Sequence, residues 1–274
     1  MDDKYRMRLF TFGCSFTNYQ WPTWADFVSL GFDKFQNWGQ GGAGNYYIAN
    51  RLLECHDLNR ITQEDHVLIM FSDYNRYDLL RNDNWNTHGS LYNLHFPDNE
   101  KGRKDKLARE WFLDNYWTQQ HAVYQTWFMV EYVKTILDDI GCKYKLMSAF
   151  NILEYGELIK TDDDLKESIY ANWAVNKLSK ILSPINLRDS QSGSAYTFMD
   201  DAGNKFTDNH PTITDHYNWV KDQMTEYYFS GMEDSKNRWE SMVVKNSKES
   251  SKIFQEDLGK KVIPSIKRWD NHLL

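Results

Sequence analysis

The chain has little cysteine, and what it has is not paired. Cys14, Cys55 and Cys142 are three in 274 residues, widely spaced and without a CxxC. That excludes a disulfide framework and a zinc knuckle, and it fits a reducing, intracellular setting. Long apolar runs are missing too. Stretches such as Val67-Leu68-Ile69-Met70-Phe71 are far too short to span a bilayer, and Met1-Asp2-Asp3-Lys4-Tyr5-Arg6 leads into a strand with no apolar signal stretch. A soluble, cytoplasmic protein with no membrane partner is expected. Positive charge is also short: the formal net charge is −7 and the pI about 5.6. No concentrated basic face offsets this, so nucleic acid is not an expected partner. His56, His66, His88, His95, His121, His216 and His272 form no HExxH or similar ligand spacing, so no metal and no cofactor is expected. Internal repeats and low-complexity tracts are absent.

What the chain does have is length enough for one large domain with an appendage, and an aromatic content of 16% that includes 11 Trp and 17 Tyr. Such rings carry an apolar body and a polar handle, so part of the excess is expected at a binding surface.

The first strand, Leu9-Phe10-Thr11-Phe12, runs into Gly13 and delivers Ser15 at its carboxyl end, where open α/β sheets bind their ligands. Seen alone, Ser15 and Thr17 read as well as helix caps. Pro22 suits the first turn of a helix that carries Trp24, Phe27, Val28 and Leu30 inward and stops at Gly31. A second strand over 34–38 leads into the glycine-rich turn Gly39-Gln40-Gly41-Gly42-Ala43-Gly44 and a helix over about 46–55. That turn is a place for backbone N–H groups to face an anion, but it lacks the GK[ST] of a P-loop. His66-Val67-Leu68-Ile69-Met70-Phe71-Ser72 reads as a strand buried on both faces, with Asp73-Tyr74-Asn75-Arg76 at its end. Residues 77–116 lose periodicity and become polar and aromatic, as a lid, a binding loop or an insertion does. A helix over about 117–140 follows, its stripe set by Tyr124, Trp127, Phe128, Val133, Ile136 and Leu137, with Gly141 at its end. A fourth strand covers 143–149, a helix about 164–182, and 183–205 is turn-rich. Phe206-Thr207-Asp208-Asn209-His210-Pro211-Thr212 then opens a last helix through Tyr217, Val220, Met224 and Tyr227, closed by Gly231. The remaining 232–274 carries the scattered anchors Trp239, Val243, Phe254, Ile263, Ile266 and Trp269. They read as helices lying on the same domain or as a homo-oligomer contact.

Strands alternating with helices predict an α/β class with a mostly parallel sheet. Ser15, the glycine turn, Asn75 and the Asp208/His210 pair are then expected along one sheet edge. This order of motifs resembles the SGNH (GDSL-type) hydrolases, esterases and acyl hydrolases on a flavodoxin-like three-layer α/β/α sandwich. The likeness covers about residues 9–229. Gly13-Cys14-Ser15 is similar to the family's Gly-Asp-Ser block, with Cys14 in place of Asp. Asn37-Trp38-Gly39-Gln40-Gly41-Gly42 is similar to its Asn-x-Gly-x-x-Gly turn. Phe71-Ser72-Asp73-Tyr74-Asn75-Arg76 lacks the glycine of its third block, leaving Asn75 or Ser72 for the asparagine's role. Asp208-x-His210 stands for a last block that normally has Asp three residues before His.

The resemblance implies Ser15 as nucleophile, His210 as base and Asp208 as its orienting acid, with an oxyanion hole from Ser15, Gly42 and Asn75 and no metal. Residues 1–231 would form the hydrolase-like domain, with an aromatic-rich insertion at about 77–116, and 232–274 a helical extension. The activity implied is a serine esterase removing a small acyl group, acetyl above all, from a small molecule or a glycan. The alternatives are a hydrolase-like binding or assembly module without turnover, and an O-acyltransferase using the same residues. Taken apart from one another, His210-Pro211 also reads as the start of a helix that Asp208 caps, and Gly39–Gly44 as a tight crossover.

Overall fold

The computed structural model describes residues 7–81, 84–90, 98–150, 168–183, 186–200 and 203–243, with 249, 252–254, 256 and 258 beyond. The chain runs β1 (Arg8–Phe12), α1 (Trp24–Ser29), β2 (Lys34–Asn37), α2 (Asn45–Asn59), β3 (His66–Phe71), β4 (Arg76–Arg81), β5 (Asn84–Ser90), α3 (Glu100–Asn115), α4 (Gln119–Ile140), β6 (Lys143–Ser148), α5 (Ile169–Ile181), β7 (Tyr196–Met199), β8 (Lys205–Asp208), α6 (Ile213–Gln223) and α7 (Gly231–Met242). Four strands form the central sheet in the order β2-β1-β3-β6, all pairs parallel, with Leu9 opposite Phe35 and His66, and Phe71 opposite Ser148. The order reverses between β1 and β3, so the carboxyl end of β1 opens onto a topological switch point.

β1 and β3 read as continuous apolar runs because they are the central strands. Leu9, Phe12, Val67, Leu68, Ile69 and Met70 are completely buried. Helices α2, α4 and α5 pack together on one side, and α1, α6 and α7 on the other, which gives three layers, α/β/α. α1 starts two residues later than its proline implied. Thr23 is the cap, and Asp26 accepts from the Thr23 N–H at 2.7 Å, so Pro22 stands just outside the helix. Leu30, expected inside, is 42% exposed at the C-cap.

The larger differences lie where aromatic bulk misled the reading. On α4 the buried stripe is Ala122, Val123, Thr126, Val130, Val133 and Leu137. Phe128 is left 52% exposed, while Tyr124 and Trp127 meet Trp173 of α5. The aperiodic 77–116 contains an antiparallel hairpin, β4 with β5, and the helix α3. The turn-rich 183–205 holds β7, which pairs with β8 as a second ribbon, Tyr196 opposite Asp208. Gly231, expected to close the last helix, instead opens α7, while α6 ends at Gln223.

From α7 onward the chain contributes to the core. Met232, Trp239 and Phe254 are buried, and Trp239 meets Phe27 of α1 edge-on at 4.8 Å. Ile263, Ile266 and Trp269 lie outside the described residues, as does 164–167 of the expected helix. Among the described residues no helix is long and apolar enough to cross a membrane, and no cluster of His, Cys, Asp or Glu is arranged to hold a metal ion.

Candidate active site

Gly13 sets the turn after β1 by its lack of a side chain. A Cβ there would lie 2.0 Å from Thr17 Oγ1 and 2.9 Å from the Met70 carbonyl oxygen. The turn closes with Thr17 N–H donating to Cys14 O at 2.9 Å, which leaves Cys14 fully buried and Ser15 on the cavity wall.

Asp208 ends β8, and two residues on His210 sits in the loop before α6. That spacing works because one carboxylate oxygen serves both groups of the histidine. Asp208 Oδ1 accepts from the His210 backbone N–H at 3.0 Å and stands 2.7 Å from His210 Nδ1. His210 Nε2 is 3.0 Å from Ser15 Oγ. Three side chains, Ser15 lying 195 positions before His210, thus form one hydrogen-bonded series, with Ser15 only 6% exposed.

Sequence reasoning missed the residues that hold this series in place. Tyr19 lies flat on the His210 ring, centroids 3.9 Å apart, and its hydroxyl donates to Asp208 Oδ2 at 2.6 Å. Burial works against the charge on Asp208. The hydrogen bonds from the His210 ring, the Tyr19 hydroxyl and the His210 N–H outweigh it and hold the carboxyl below its ordinary range. Trp21 fastens the His210 loop to the β1 side. Its indole N–H donates to Pro211 O at 2.9 Å, and its ring packs on Phe198 and Tyr196 of β7. The reciprocal cap of α6, Thr212 with Asp215, fixes where that loop ends.

Ser15, Asp208 and His210 line a cavity of about 390 Å³ together with Phe16, Arg76, Phe150, Arg188, Phe206, Thr207 and Asn209. Gly42, Asn75 and Ser72 are not among its lining residues. Gly42 has φ +75 and its carbonyl accepts from the Gly89 N–H at 3.0 Å, so it faces the β4–β5 hairpin. Asn75 donates its backbone N–H to Asp73 Oδ1 at 3.0 Å, and its amide oxygen is buried without a partner among the described residues. Ser72 is held by Asn45, its N–H donating to Asn45 Oδ1 at 2.7 Å.

The anion facing the amino end of α2 belongs to the chain itself: Asp78 of β4 accepts from the Gly44 N–H at 2.8 Å and from the Tyr47 N–H at 2.8 Å. The insertion's Trp85 packs on Tyr46 and Tyr47 beside it. A second cavity of about 370 Å³, between α2, β4 and α4, is walled by Tyr46, Tyr74, Tyr77 and Trp117 and shares Arg76 with the first.

A serine hydroxyl hydrogen-bonded to an imidazole whose other nitrogen is held by a carboxylate can lose its proton to that imidazole as it attacks a carbonyl.

No protein-family model matches the chain, and no curated protein matches it. Among solved structures, one from Bacteroides fragilis NCTC 9343 described as "a putative acylhydrolase" aligns over 86% of this chain and 90% of its own, at 12% sequence identity and a TM-score of 0.40.

Proposed function

We propose that the protein is a serine esterase of the SGNH type that removes a small acyl group, acetyl above all, by an acyl-enzyme route. The observation that carries the reading is the unbroken series Asp208–His210–Ser15, at 2.7 and 3.0 Å, opening on a cavity. Ser15 Oγ attacks the ester carbonyl while His210 Nε2 takes its proton. The C–O bond to the alcohol breaks and His210 returns the proton to the departing oxygen. Water, activated by the same imidazole, then releases the acid from Ser15. Asp208 keeps Nδ1 protonated and balances the imidazolium. The Ser15 N–H is the proposed oxyanion donor at the cavity wall, while the Gly42 N–H and the Asn75 amide, which the resemblance adds, do not line that cavity. The aromatic-rich insertion supports a sugar-bearing alcohol, since flat rings stack on pyranose faces.

Labelling by a fluorophosphonate probe and hydrolysis of an aryl acetate test the reading. Both are expected in the folded protein. Ser15→Ala should abolish labelling, and Ser15→Ala or His210→Ala should lower kcat by about a thousandfold or more. Hydrolysis that survives both substitutions would place the chemistry elsewhere. A folded protein that neither labels nor turns over would favour a binding module.

A further inference from the structure

The cavity at Ser15 is cationic in a chain that is acidic overall. Arg76 and Arg188 both line it and reach it from different elements. Arg76 opens β4, just past the carboxyl end of β3. Arg188 is hung on the carboxyl end of β6 by its own backbone N–H, which donates to Ala149 O at 3.2 Å. The two guanidiniums converge on one ring, their Cζ atoms 5.4 and 5.5 Å from the centroid of Phe150. Phe150 stacks in turn on Phe16, the neighbour of Ser15.

Two like charges brought to a shared ring repel each other, and the described residues do not neutralise them. Among the described residues neither guanidinium takes part in an ion pair, although the chain has 39 acidic residues against 32 basic ones. Arg76 donates to Ala43 O at 3.2 Å and leaves its Nε buried without a partner among the described residues. Asp73 feels the charge of both arginines but pairs with neither, and one carboxylate does not balance two guanidiniums. Asp208, the acid on the cavity wall, is committed to His210 and Tyr19. A planar fork of N–H donors is the side chain best matched to a carboxylate or phosphate, and here two forks flank one nucleophile.

We propose that the ester cleaved at Ser15 belongs to an oxyanion-bearing molecule, whose carboxylate or phosphate is held by Arg76 and Arg188 beside Phe150. The inference rests on the reading of Ser15 as nucleophile and deepens it. The arginines select and orient the substrate and take no part in bond exchange, which stays with Ser15 and His210.

The test compares kcat/KM for 4-acetoxybenzoate and 4-acetoxyphenyl phosphate with that for neutral methyl 4-acetoxybenzoate, in the full chain and in Arg76→Gln and Arg188→Gln. Arg188 is exposed, so its variant leaves the core intact. The anionic-to-neutral ratio is expected to fall at least tenfold in each variant for the anion that fits, and the two anionic esters tell carboxylate from phosphate. Added salt should depress the anionic rate alone. A ratio unchanged in both variants, or an equal loss for all three esters, overturns the proposal. If the folded protein hydrolyses none of them, the nucleophile reading fails, and calorimetry with 4-acetamidobenzoate and 4-acetamidophenyl phosphate reads the anion site directly. Binding of either that weakens tenfold in the variants upholds that site, and no binding of either overturns it.

Discussion

Tyr19 covers one face of the His210 ring at 3.9 Å and grips Asp208 through its hydroxyl at 2.6 Å, so a single side chain fixes both the proposed base and the proposed acid beside it. Tyr19→Phe keeps the stacked ring and removes only the donor to a carboxylate. A hydrogen bond to a charged group contributes about 1.5–3 kcal/mol, and water can replace only part of it at a carboxylate whose side chain is 11% exposed. A fall in kcat of about tenfold is expected, with KM little changed. Tyr19→Ala also frees the imidazole to turn and should fall further. Steady-state hydrolysis of an aryl acetate separates the two, and equal rates for both variants would remove Tyr19 from the positioning of His210.

Gly13 answers a different demand. Its backbone has no positive φ, so the need is for space: Thr17 and the Met70 carbonyl occupy the volume a methyl group would take. Gly13→Ala must push the turn away from β3, at a cost of about 1–3 kcal/mol by the general scale of overpacking. Urea unfolding should show a lower midpoint at unchanged slope. Because the same turn carries Ser15, the rate with an aryl acetate should fall by more than the folded fraction explains.

Much of the sheet was legible because its central strands are short apolar runs bounded by glycine and polar turns, and buried strands admit few other residues. The Ser15 turn and the Asp208-x-His210 spacing were legible for a similar reason, each being local chemistry on one tight turn. What stayed hidden depends on tertiary partners. Nothing local in Arg76 or Arg188 says that both will meet Phe150, and Tyr19 and Trp21 look like ordinary loop aromatics until the β7–β8 ribbon folds against them. The hairpin β4–β5 was missed because its strands are polar, and the residue that docks it is Asp78, a carboxylate on the amino end of α2. On α4 the buried stripe shares Val133 and Leu137 with the expected one but runs through Ala122, Val123, Thr126 and Val130 where Tyr124 and Phe128 are expected.

Trp239 shows that the chain beyond position 231 shares the core of the residues before it. Its ring is 2% exposed and meets Phe27, and its helix packs on α6. Trp239→Ala should therefore destabilise the protein by about 3–5 kcal/mol. Trp111 on α3 is 58% exposed, and its replacement by alanine should stay within about 0.5 kcal/mol. Chemical denaturation of both variants checks the contrast. Similar midpoints would mean that α7 does not add to the stability of the preceding residues.

At alkaline pH several tyrosines link folding to protonation. Burial pushes the Tyr47 and Tyr227 hydroxyls up to about 12 each. Tyr19 is also pushed up, first by burial and then by its hydrogen bond to Asp208 and the charge of that carboxylate. An unfolded tyrosine titrates at about 10. Between the two values the unfolded state has already lost its proton while the folded state keeps it, so the contribution is full below about pH 10 and is lost as pH rises through the folded value. The melting temperature should accordingly drop from about pH 9.5 to 11.5. Tyrosinate absorbance should develop with unfolding rather than before it. Tyr19→Phe removes one of the linked groups and should make that drop shallower. An equally steep drop in the variant would mean that the Tyr19 hydroxyl titrates alike in the folded and unfolded chain, and that its bond to Asp208 does not hold the proton.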